Sequence, residues 1–275
     1  MNDWVEFAKG AGAIPKELYD DAAKPIIQPL GKGLGILARV IPAVLQPLER
    51  WVDKKDHEAA QRKIELSLSE KLKNTPKEEL VSPRPMIAQP ALEGMALTLD
   101  EEDLFDLFSN LLAKSMIKQH KDTIHPGFIA VLKEMTPLEA RLARWIFEYE
   151  KEYDSRSIPC IGIKAAAKNK KDAYYEPLQY YFGEVPYGIF NNNDEIYSAS
   201  LNNLARLGII FLPKLEQAHV IADRFPPLEN DVPIKELIIS IENHQLLSNY
   251  SILRNYTIIT KFGVIFLREC LVPPK

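Results

Sequence analysis

Near the start of the chain, apolar residues recur at Leu34, Leu37, Ile41, Val44, Leu48 and Trp51, steps of three or four that line one face of a helix. Pro42 and Pro47 fall inside that pattern and Pro25 and Pro29 upstream of it, and each removes a backbone donor. The first 52 residues therefore read as an amphipathic leader broken into short pieces. A charged helix follows from about Asp53 to Lys73, with one narrow seam of Ile64, Leu68 and Leu72. Pro76, Pro83, Pro85 and Pro90 then predict extended or polyproline backbone, so 53–90 is expected to be a helix plus a connector.

From Ala91 the pattern turns helical. Thr98 and Asp100 offer capping oxygens, Glu101, Glu102 and Asp103 suit the positive end of a helix, and Leu104, Leu107, Phe108, Leu111 and Leu112 form a broad face. A short helix is expected from Pro126 to Met135 after a turn at His125. Another starts at Thr136, with Pro137 first and Glu139 third, and runs through Leu142, Trp145 and Ile146 to Tyr149. Residues 91–150 are thus a helical core. In 151–275 a helix from Ser198 to Ile210, with Leu201, Leu204 and Leu207 on one side, ends at Gly208 and leads into an apolar strand. The β-rich YTIIT and the helical KFGVIFLRECL close the chain, in the order of a winged helix with an insertion at 213–255. The tyrosine-rich, lysine-dotted stretch between Glu150 and Asn193 has no clear assignment from its pattern. The expected fold is mainly α with a small β component: a helical body, a winged-helix-like C-terminal part and the proline-broken leader.

Composition adds a contrast between local and global charge. The 275 residues carry a net charge of -4 and are 46% hydrophobic and 26% charged, a globular balance that excludes both a disordered chain and a polycation. Between Lys24 and Arg50, however, Lys24, Lys32, Arg39 and Arg50 face Glu49 alone. Prolines outnumber glycines 20 to 12, and nine of them lie between Pro15 and Pro90, in the leader and connector. Cys160 and Cys270 have no metal or redox spacing and read as reduced thiols. The N-terminus lacks the basic and apolar regions of an export signal, and no uncharged stretch there is long enough to span a bilayer. A cytoplasmic protein, with peripheral contact to the inner membrane through the leader, is expected.

Candidate chemistry is sparse. GKGLG lacks both the preceding strand of a dinucleotide site and the Lys-Ser/Thr of a P-loop, so Gly31 and Gly35 read as a close-approach pair. Lys24, Gly31, Lys32, Gly35, Arg39 and Trp51 form a candidate surface for a membrane or for self-association; the alternative is that the same face packs on the protein's own core. His120, Asp122 and His125 lack metal-site geometry, and DEEDLFD lacks the glycine of a calcium loop, so no metal is expected. Neither GxSxG nor HExxH occurs, and no cysteine has a histidine beside it; the expectation is a protein without catalysis or cofactor. The helix SASLNNLARLG offers only Asn202, Asn203 and Arg206 to a nucleic acid, and Lys164, Lys168, Lys170 and Lys171 form a separate run. Nucleic acid is thus a less favoured partner than a protein or a second copy.

Three stretches together resemble the abortive infection protein alpha (Abi-alpha) family of bacterial proteins: AQPALEGMALTLDEEDLFDLFSNLLAKSM, then HPGFIAVLKEMTPLEARLARWI, then LNNLARLGII with TIITKFGVIFLREC. The leader LYDDAAKPIIQPLGKGLGILARVIPAVLQPLERW is similar to that family's leader region. Positions matching its motifs are Pro90, Leu92, Glu93, Leu111, His125, Pro126, Phe128, Gly208, Gly263 and Cys270. The resemblance implies a role in phage defence and supplies no catalytic residue. The function expected is a non-enzymatic antiphage protein with a partner-binding body, the alternative being a winged-helix regulator that binds nucleic acid.

Overall fold

Ile64, Leu68 and Leu72, four residues apart, are all buried along α1 (Lys54–Leu72), as the narrow seam predicts. The structure, a computed structural model, describes residues 41, 54–168, 174–213 and 224–274. Of the leader surface none of Lys24, Gly31, Lys32, Gly35, Arg39 and Trp51 is among them. The chain divides into two compact units, residues 1–137 with 267–275, and residues 138–266.

In the first unit the connector after α1 is extended only in part. Pro76, Leu80 and Arg84 have polyproline-like dihedrals, and Leu80 bridges to Ile117 while Val81 N donates to Met116 O at 2.8 Å. Helix α2 (Pro85–Leu97) begins inside the stretch expected to be irregular. Pro85 sits at the helix start, where its missing N–H costs nothing, and Pro90 lies inside the helix and leaves only the carbonyl of the exposed Met86 without its helical donor. Four buried apolar residues after Pro90 outweigh that loss: Ala91, Leu92, Met95 and Ala96. Helix α3 (Glu102–Ser115) is buried nearly all round from Leu104 onward. Its N-terminus differs from expectation: Thr98 closes α2, donating to Gly94 O at 2.8 Å, and Glu101 precedes α3 without a side-chain cap. The acids Glu102 and Asp103 in the first turn supply the electrostatic match instead. Helix α4 (Pro126–Lys133) completes this part, with His125 as its cap: Nδ1 accepts from Gly127 N at 3.0 Å.

In the second unit, α5 (Pro137–Tyr153) leads into β1 (Ser157–Ala167), whose residues Ile158 to Ile163 are buried without interruption. A strand covered on both faces shows no alternation, which is why periodicity does not reveal it. The tyrosine-rich stretch becomes β1, β2 (Tyr174–Tyr181) and the short α6 (Glu184–Gly188). Helix α7 (Asp194–Arg206) starts four residues earlier than its apolar pattern, because Asn193 Oδ1 accepts from Glu195 N and Ile196 N, both at 3.1 Å. After β3 (Ile210–Phe211), the segment expected as an insertion supplies α8 (Pro226–Asn230), α9 (Val232–Asn243) and most of β4 (Leu247–Ile259). Helix α10 (Lys261–Leu271) begins in this unit, and its residues from Leu267 belong to the first.

The four strands form an antiparallel sheet in the order β2-β1-β4-β3. The helix-strand-strand-helix order expected for a wing is present as α7, β3, β4 and α10, but β4 runs thirteen residues and pairs along β1, with only Ile210 and Phe211 on its other side. Both sheet edges are blunted against stray pairing: β3 has two residues, and β2 carries Pro177, register shifts against β1, and Tyr180 at φ 56. Tyrosine hydroxyls pin this part together. Tyr181 donates to Asp231 at 2.9 Å, Tyr187 donates to Asp194, and the buried Tyr197 donates to Tyr180 O at 3.1 Å.

Candidate functional site

In the first unit a polar group lies along one line of α3, and two of its members, Asn110 and Lys114, are buried. Asp106, Asn110 and Lys114, each four residues from the next, share one face of that helix. Lys114 Nζ donates to Arg268 O at 2.6 Å, and Asn110 Nδ2 donates to Cys270 O at 2.9 Å. These acceptors are carbonyls of the last turn of α10, which have no partner within their own helix. An ammonium at the negative end of α10 and an amide on a second carbonyl therefore cap it from outside. Glu269 answers the charge: its Oε2 lies 3.4 Å from Lys114 Nζ and 3.3 Å from His120 Nδ1. Lys71 of α1 donates to Asp106 at 2.6 Å, and Asn110 also donates to Asp106 at 3.2 Å, so the line continues across three helices.

Burial pulls Lys114 below the ordinary lysine value, with Glu269 opposing the shift. Burial pushes the Cys270 thiol well above its usual value, and Cys160, which donates to Asn255 O at 3.4 Å, is pushed up to about 12. Both thiols are free and buried, which makes them packing groups rather than nucleophiles at neutral pH. The sequence signal for the Lys114 group was present but faint: a polar i, i+4, i+8 line in a helix whose other residues from Leu104 to Ala113 are apolar except Ser109.

The family-motif positions gather at packing contacts. Leu92, Leu111 and Phe128 are core residues, and Pro90 and Glu93 lie on α2, Glu93 paired with Lys133 at 3.0 Å. His125 and Pro126 start α4, the cap and the first residue respectively. Gly208 and Gly263 meet at a second junction. Gly208, at φ +77, ends α7 with Gly208 N on Ala205 O and Ile209 N on Leu204 O, both 3.0 Å, a Schellman closure. Thr260 then caps α10, accepting from Gly263 N at 2.8 Å while its hydroxyl donates to Gly208 O. A β-carbon on Gly263 would stand 2.0 Å from Ile209 O, so α10 lies against backbone there with room for hydrogen only.

The remaining candidates are engaged locally or lie apart. Asn203 Nδ2 donates to Glu139 Oε1 at 3.0 Å, Arg206 donates to Asn203 at 2.7 Å, and Asn202 donates to Ser198 O at 2.9 Å. Lys164 stands over the Tyr174 ring at 4.0 Å and Lys168 donates to His244 O at 3.2 Å, while Lys170 and Lys171 lie outside the described residues. His120 turns to Glu269 and His125 to its own helix, so the structure does not bring them together with Asp122; among the described residues there is no metal-binding cluster. Among the same residues no helix is long and apolar enough to cross a membrane.

Comparison with curated proteins and with solved structures finds no match. A family model does match, over residues 54–270, from the first residue of α1 to Cys270 in the last turn of α10, leaving the leader outside. That range takes in both junctions and every motif position named above, and the chain belongs to the abortive infection alpha family.

Proposed function

We propose that this chain is a bacterial antiphage protein acting by abortive infection, and that it works by binding a partner rather than by catalysing a reaction. The family match over residues 54–270 carries the defence role. The commitment of Lys114, Asn110 and Glu269 to one helix end, together with two buried thiols, supports the non-catalytic part. The leader, with Lys24, Lys32 and Arg39 on an amphipathic pattern and Trp51 at its boundary, acts from the cytoplasm on the inner membrane or joins copies through Gly31 and Gly35.

The test is plating efficiency of a phage panel on a host carrying the gene, an empty vector, or the Gly263→Ala chain as a fold-breaking control. Protection by the natural chain alone is the expected result; no protection against any phage overturns the reading. For the leader, Lys24→Gln with Lys32→Gln and Arg39→Gln is expected to weaken binding to anionic vesicles, whereas Gly31→Leu is expected to lower the solution mass if copies pair there.

One observation favours a second reading, a winged-helix regulator: α7, β3, β4 and α10 follow the required order, with β3 antiparallel to β4. Arg206 and the lysines at 164 and 168 would have to leave their present partners to reach phosphates. Salt-dependent retention of DNA, reduced by Arg206→Gln, would favour it.

A further inference from the structure

Along β4 the backbone groups turn alternately to two sides, and on one side the neighbour runs out. Ile259 N donates to Arg156 O at 2.8 Å on the β1 side, and Thr260 N donates to Ile209 O at 3.0 Å on the β3 side. Pairing with β1 keeps one register from Ile258 to Tyr250, so odd-numbered residues of β4 turn their N–H and C=O to β1 and even-numbered ones turn theirs away. Pro159 agrees with that phase, since it lies opposite Tyr256, where no N–H toward β4 is needed. The short β3 takes up the outward groups of Ile258 and goes no further. Tyr256 N donates to Asn255 Oδ1 at 2.8 Å. At Arg254, Ile252 and Tyr250 the outward N–H and C=O have no backbone partner among the described residues. An open strand edge is a template for another strand, and chains that keep such an edge single place lysine, proline or a bulge on it. From Tyr250 to Thr257 there is no lysine, proline, glycine or acid and no shift of register. The one charge there, Arg254, is paired with Glu229 of α8 at 3.0 Å.

We propose that a second copy of this chain pairs on that edge, β4 against β4 and antiparallel, across a twofold axis at Ile252. The outward groups of the two copies then meet in phase. Ile252 exchanges N–H and C=O bonds with its own counterpart, and Tyr250 exchanges them with Arg254 of the other copy, in both directions. The charges suit a like chain: Arg254 meets Tyr250 rather than another arginine, and its own charge is already balanced by Glu229. Tyr250, 37% exposed, has a ring free to lie against that guanidinium. An acidic peptide, the other strand that an arginine would attract, finds this arginine occupied. The edge belongs to the second unit and lies far in sequence from Gly31 and Gly35, so this pairing does not depend on the leader.

The experiment is sedimentation equilibrium of the full chain over a concentration series, with backbone hydrogen exchange at its two ends. The natural chain is expected to pass from one copy to two, and the amides of Tyr250, Ile252 and Arg254 to exchange more slowly as it does. Ile252→Pro removes an N–H that points away from β1 and leaves the ladder with β1 intact. It is expected to weaken association by about thirtyfold, the worth of the two central hydrogen bonds, and by the same factor in a chain that already carries Gly31→Leu. Tyr250→Lys, at an exposed position, sets like charges opposite each other and is expected to weaken association more than Tyr250→Glu does. Where Ile252→Pro yields no folded protein, Tyr250→Lys decides alone. A natural chain that stays a single copy throughout the series overturns the proposal, as does one that pairs no better than its folded Ile252→Pro and Tyr250→Lys variants. Pairing that leaves exchange at the three amides unchanged, or that Gly31→Leu alone abolishes, places the contact elsewhere and likewise overturns it.

Discussion

The two ends of α10 are held by opposite means. At its start, Gly263 lies against the backbone at Ile209 with no room for a methyl group, and Thr260 ties the turn to Gly208. At its finish, Lys114 and Asn110 reach in from α3 and bond carbonyls of Arg268 and Cys270, with Glu269 balancing the lysine's charge and His120 Nδ1 beside it. The first end depends on a steric fit in which no ionisable group takes part; the second depends on charge removed from water. A steric fit fails under any addition, whereas a buried polar group fails when it is left half-paired and survives when all of it is replaced.

The largest expected effect breaks the steric end. Gly263→Ala places its β-carbon 2.0 Å from Ile209 O, and since neither atom can rotate away, a loss of about 4 kcal/mol or of soluble protein is expected in urea denaturation. Next comes the charged end: Lys114→Ala, which leaves Glu269 buried beside His120 alone, is expected to cost about 3 kcal/mol. Lys114→Met with Glu269→Leu should regain most of that loss, an exchange with no counterpart at Gly263. Gly208→Ala separates conformation from crowding at the steric end. Its φ is +77 but the nearest atom to a new β-carbon is 3.8 Å away, so about 1 kcal/mol is expected.

The smallest effect is one of pH, and only the charged end should show it. The lowered value of Lys114 means that, between it and the ordinary lysine value of 10.5, the unfolded chain binds more protons than the folded one. Stability from this group therefore rises with pH across that window. Relative to the Lys114→Met chain, the natural chain should gain stability as pH rises toward 10.5, while the deficit of Gly263→Ala stays flat. Denaturation midpoints of the three chains at several pH values decide it.

How much of this was legible in the sequence follows from the same physics. Helices with a water-facing side announce themselves: α1, α4, α5 and α10 lie close to where their apolar spacing puts them. The cap at Asn193 was missed because the polar first turn of α7 hides the apolar repeat, and β1 was missed because Ile158 to Ile163 are buried on both faces. The prolines of the connector misled at Pro85 and Pro90, where one begins a helix and the other lies within it. Gly208 was readable as a helix stop, and its closure on Leu204 and Ala205 is the form such a stop takes. What gave no signal was distance. Lys114 needs Arg268, 154 residues away, and a lysine in a helix says nothing about which carbonyl it will meet.

That separation also sets an order of events during synthesis. The helices α1 to α4 leave the ribosome early, yet Asn110 waits 160 residues for the carbonyl of Cys270, and the whole sheet is made in between. Until those last residues arrive, Lys114 and Asn110 stay hydrated rather than capped, and the nascent first unit lacks a piece of itself. A chain that ends before α10 is complete therefore never gains the carbonyls that Lys114 and Asn110 bond.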